Sequence, residues 1–72
     1  MQTLEILDQL ILQCTLPEPP LAHIAARVEL LVAAVRHPVV LNYLLRAAHF
    51  ARAGNSASAA ACLSQAAAYY SD

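Results

Sequence analysis

Apolar residues recur along this chain at intervals of three and four and never alternate for long with polar ones. Near the start, Leu4, Leu7, Ile11 and Cys14 make one stripe, while Glu5, Asp8, Gln9 and Gln13 make the wet side. That period belongs to a helix, not a strand. A second segment places Leu21, Ile24, Val28, Leu31 and Val35 on one stripe and Ala26, Leu30 and Ala33 on another. Little more than His23, Arg27, Glu29 and Arg36 is left polar there, the pattern of a helix in the middle of a bundle. A third segment has Asn42, Arg46, His49 and Arg52 as its single polar stripe, and a fourth is mostly alanine.

Breakers separate these segments. "PEPP" at 17–20 is a hard stop, since proline lacks an amide donor and clashes with the preceding turn. "RHP" at 36–38 is a second boundary, with proline tolerated in the first turn of the helix that follows. At 53–56, "AGNS" offers Gly54 for a left-handed C-cap and Asn55 or Ser56 as the next N-cap. The pattern therefore predicts an all-α protein with helices over residues 3–15, 21–36, 39–53 and 56–70. Short connections force neighbours antiparallel. The expectation is one helical domain over 1–72, built as two consecutive hairpins, 1–37 and 38–72.

Composition adds a surplus of apolar surface. Apolar residues make up 60% of the 72 and charged ones only 12%, so polar side chains are too few to cover the body. A chain this short buries about 60% of its unfolded surface, and the excess must face outward or face a partner. Net charge is −1, with no lysine and four dispersed arginines. That gives no basic stripe for counterion release on nucleic acid. Glu5 and Asp8 stand where a secretory leader would carry cations. The longest apolar run, residues 30–35, is far short of the ~20 a membrane span needs. A cytoplasmic location is expected.

No constellation for chemistry emerges. His23, His37 and His49 lie on different segments without close paired ligands, so surface histidines are expected and a metal is not. Cys14 and Cys62 read as small hydrophobes in a reducing compartment, with a disulfide or metal site as the alternative. The one glycine precludes a phosphate loop, and Ser56, Ser58 and Ser64 suit capping or solvated positions. No catalytic residue and no cofactor is expected. Tyr69 and Tyr70 are either interface anchors or one buried and one frayed terminal residue.

One run of spacings is more informative. Tyr43 is followed by Ala47, Phe50 and Gly54 at steps of four, three and four, and then by Ala59, Leu63 and Ala66. This resembles the tetratricopeptide repeat, a helical hairpin of about 34 residues. In that hairpin Ala47, Ala59 and Ala66 would let two helices approach, with Tyr43, Phe50 and Leu63 filling the gaps. Arg46 departs from the family, which usually has leucine there, and Ser71 stands where it often has proline. Ala26, Leu30, Ala33 and Pro38 echo the second helix of the unit. The first three precede Ala59, Leu63 and Ala66 by 33 residues, so the first hairpin would be a degenerate repeat.

The resemblance also implies a binding surface. The family's first helices line a concave groove, which here would be faced by Leu41, Leu44, Leu45, Ala48 and Ala51, with Arg52 at the margin. An aliphatic groove suits the apolar face of an amphipathic helix. Such arrays usually need about three repeats to bury their faces, so a partner or second copy would complete the core. Very short chains of this make-up resemble the repeat-like chaperones of bacterial type III secretion. Those hold the needle subunit by its C-terminal amphipathic helix in the cytoplasm, often with a co-chaperone. The alternative expectation is a structural homo-oligomer in which the first or fourth helix packs on its own copy.

Overall fold

A computed structural model of the chain describes residues 3–70. It contains four helices, α1 (Thr3–Cys14), α2 (Leu21–Ala34), α3 (Pro38–Arg52) and α4 (Ser56–Tyr70), and no strand among the described residues. The protein is all-α. Ser71, weighed above as a departure from the repeat, lies outside the described residues.

The helix ends follow from local chemistry. The Thr15 hydroxyl donates to the Leu12 carbonyl at 2.7 Å, closing α1 one residue before the predicted end. Helix α2 stops two residues early, because Val35 is already extended at φ −88°, ψ 141°. The cause lies downstream: Pro38 confines His37 to the extended region, at φ −81°, ψ 119°. Pro38 itself becomes the first residue of α3, one earlier than predicted, where its missing N–H costs nothing. The His37 imidazole Nδ1 accepts from the Val40 N–H at 3.4 Å, a long cap.

The junction between α3 and α4 is better made. Gly54 takes φ +82°. The Asn55 N–H reaches the Phe50 carbonyl at 2.8 Å and the Gly54 N–H reaches Ala51 at 3.2 Å, the paired bonds of a Schellman motif. The Asn55 side-chain Oδ1 then accepts from the Ser58 N–H at 3.1 Å and caps α4. Three residues thus end one helix and begin the next.

Helix α3 is central, packing against α4 on one side and α2 on the other. Tyr43 near the start of α3 stacks on Tyr69 near the end of α4, so these two run antiparallel. Leu21 and Ala22 lie beside Ala51 and Arg52, so α2 and α3 do too. The first hairpin is the looser of the two. Helix α1 touches α2 only lightly and rests mainly on α4, which brings the first and last helices together.

The core follows this arrangement. Leu7, Ile24, Val28, Val40, Leu44 and Leu63 are its large, fully buried side chains. Ala25, Ala47, Ala48, Ala51, Ala59 and Ala66 are buried between them, and small residues at a crossing let helix axes approach. On α1, Leu10 is buried while Leu4 and Ile11 are only partly covered, so the buried stripe is turned from the one predicted. On α2 the correction is larger. Ala26, Leu30 and Ala33, read as an echo of Ala59, Leu63 and Ala66, are all exposed. Their face would need α1 against it, and α1 is elsewhere.

Candidate functional site

The residues expected to pack the second hairpin lie between or beside α3 and α4. Ala47, Ala59, Leu63 and Ala66 have no exposed surface. Tyr43 and Phe50 are half-buried at its edge. Gly54 is in the turn.

The residues expected to face a partner are scattered. Leu44, Ala48 and Ala51 are buried, because their side of α3 is occupied by the neighbouring helices. They correct the groove inferred from the resemblance: it is filled by the chain itself. Leu41 is partly covered and packs on the core. Arg52 is on the surface but engaged, its Nη2 2.6 Å and its Nε 3.1 Å from the two carboxylate oxygens of Glu29 on α2. That two-bond contact holds the Glu29 carboxyl below its usual range and raises the Arg52 guanidinium. Only Leu45 stands out, with 56% of its surface exposed.

Leu45 borders an open-sided cavity of about 380 Å³ on the outer face of α3 and α4. Arg46, His49, Phe50 and Cys62 complete its lining. Tyr43, Arg46 and Phe50 follow one another at steps of three and four, so they share one face of α3. The His49 ring meets Phe50 edge-on, with centroids 5.7 Å apart and planes at 64°. Tyr43, stacked on Tyr69 at 5.7 Å and 16°, stands one turn before Arg46 on α3. The surface is apolar at its floor and cationic at its rim, and Leu45 is its exposed aliphatic.

Arg46, His49 and Cys62 were not singled out as binding residues from sequence, and Phe50 was assigned to packing alone. A signal for Arg46 existed: it is the residue that breaks the repeat pattern with a charge. Cys62 carried none, because its placement depends on how α4 lies on α3. Both thiols are free. Burial raises the Cys14 thiol above its usual range, and it raises Cys62 too, with Arg46 acting in the opposite direction. Both therefore stay protonated at neutral pH.

Among the described residues no three of His, Cys, Asp and Glu converge on a point that could hold a metal. No helix there is long and apolar enough to cross a membrane. Comparison of the chain with protein-family models, with curated proteins and with solved structures finds no match.

Proposed function

We propose that this chain is a small helical protein-binding module, whose α3/α4 face holds an amphipathic helix of a partner protein. The observation that carries this reading is the open cavity beside Leu45 and Phe50. An apolar floor rimmed by polar groups is what the apolar side of a helix needs, and its anchors at steps of three and four match that surface. Aromatic and arginine side chains, here Tyr43, Phe50 and Arg46, dominate binding energy at such surfaces. The resemblance to needle-subunit chaperones supplies a client class: a type III secretion subunit, held in the bacterial cytoplasm with a co-chaperone. No enzymatic step, cofactor or nucleic acid belongs to this reading.

Leu45→Glu tests it, because Leu45 is exposed and its replacement leaves the core intact. A partner co-purified from the native host by the unmodified chain should be lost by this variant, with helix content by circular dichroism unchanged. Retention of the partner would defeat the reading. Cys62 supplies a second readout, since an occupied cavity slows its alkylation.

A second reading, a homo-oligomeric helical adaptor, is favoured by different residues. Leu12, Leu16 and Leu30 are 67%, 51% and 68% exposed, and none of them lines this cavity. Sedimentation of the isolated chain separates the two. A stable dimer dispersed by Leu30→Glu and indifferent to Leu45→Glu supports the adaptor.

A further inference from the structure

The lining of the cavity is unbalanced in charge. Its two polar side chains, Arg46 and His49, are both exposed and both basic in kind. The carboxylates of the chain are Glu5, Asp8, Glu18, Glu29 and Asp72, so none occurs between residues 30 and 71. Helices α3 and α4 therefore carry arginine and histidine with no acidic side chain of their own. The other arginine of α3, Arg52, is already held by Glu29 across the junction with α2. Arg46 has no ion pair among the described residues. It lies on the same face as Phe50 and borders the cavity that Leu45 exposes.

Resting on the binding reading above, we propose that the partner helix is acidic. It bears carboxylates about one turn to either side of the apolar side chain that enters the cavity. An anchor seated between Leu45 and Phe50 brings residues three or four positions away over the Arg46 and His49 rim. A carboxylate there pairs with a planar guanidinium that has no ion pair among the described residues. A basic amphipathic helix meets like charge at the same place and is rejected, which is how such rims choose partners. Arg46, which breaks the apolar pattern of α3 with a charge, thus has a use: it makes the cavity beside Leu45 one that reads charge.

The chain itself offers a competing occupant. Asp8 and Leu12 are four residues apart on the exposed side of α1, an acidic and an apolar group at helical spacing. A second copy could present that stripe, so the experiment includes it. Two synthetic amphipathic helices with identical leucine anchors are titrated into the full chain, one flanked by glutamate and the other by lysine. Binding is followed by fluorescence anisotropy and by the alkylation rate of Cys62.

The glutamate helix should bind about tenfold more tightly than the lysine helix, and the gap should narrow as salt screens the rim. Arg46→Glu should reverse the preference without changing helix content. Equal binding of the two helices would overturn the acidic-partner proposal and leave the binding module standing. Failure of both helices to bind a folded monomer would overturn both. A dimer dispersed by Leu45→Glu and also by Asp8→Arg would overturn the proposal in favour of a second copy.

Discussion

At residue 54 the backbone adopts φ +82°, and a Cβ built there meets no atom within 4 Å. Space is therefore not what requires glycine; the left-handed conformation is. Gly54→Ala should cost about 1–2 kcal/mol, the penalty an L-residue pays in that region. For a domain of this size each kcal/mol lowers the melting temperature by about 4–8 °C. A melt followed by circular dichroism checks it, and an unchanged midpoint would mean the turn relaxes to another form. Punctuation of this kind is legible in sequence, because Gly54 and Pro38 act through their own backbones and the Asn55 side chain reaches a backbone amide only three residues on. The neighbouring pair Leu44 and Leu45 was not legible. One is fully buried and the other half out in solvent, yet both occupy a segment apolar on most sides. Nothing in the pattern of α3 says which side its neighbours will take.

Helix α2 makes the same point at the scale of an element. It offered two apolar stripes, and only tertiary packing could choose between them. Ile24, Val28 and Leu31 are in the core, while Ala26, Leu30 and Ala33 face outward because α1 leaves α2 for α4. The existence and order of the four helices, and the antiparallel pairing of α3 with α4, were readable from period and breakers; the seat of α1 on α4 was not. That seat is decided by long-range contacts between faces of similar apolarity. The two stripes should respond differently to substitution. Leu30→Glu should stay within about 0.5 kcal/mol of the parent, as surface changes usually do. Ile24→Ala should cost about 2–5 kcal/mol for the lost burial and the cavity left behind. Urea unfolding measures both. Comparable losses at the two sites would mean that the Leu30 face is covered in solution.

For the whole molecule the question is whether α1 is an appendage or part of one cooperative unit. Stability of about 0.05–0.15 kcal/mol per residue leaves a chain of this length a margin on the order of 4–11 kcal/mol. Leu7 is fully buried and Leu10 nearly so, on a helix whose main support is α4. Truncating one of them to alanine costs about 2–5 kcal/mol, so Leu7→Ala with Leu10→Ala consumes most or all of that margin. The core they enter is continuous with Leu44, Leu63 and the alanines between α3 and α4. Loss of α1 should therefore be felt at the cavity as well. The Tyr43–Tyr69 stack, which bridges α3 and α4 and involves no residue of α1, reports on this through near-ultraviolet circular dichroism. In the double variant that signal should fall together with the far-ultraviolet helix signal. A bound helix present at a hundred times its dissociation constant should restore both by about 2.7 kcal/mol of linkage. Persistence of the tyrosine signal after helix content has dropped would instead show α1 detaching alone, with α3 and α4 folding as a unit beneath it.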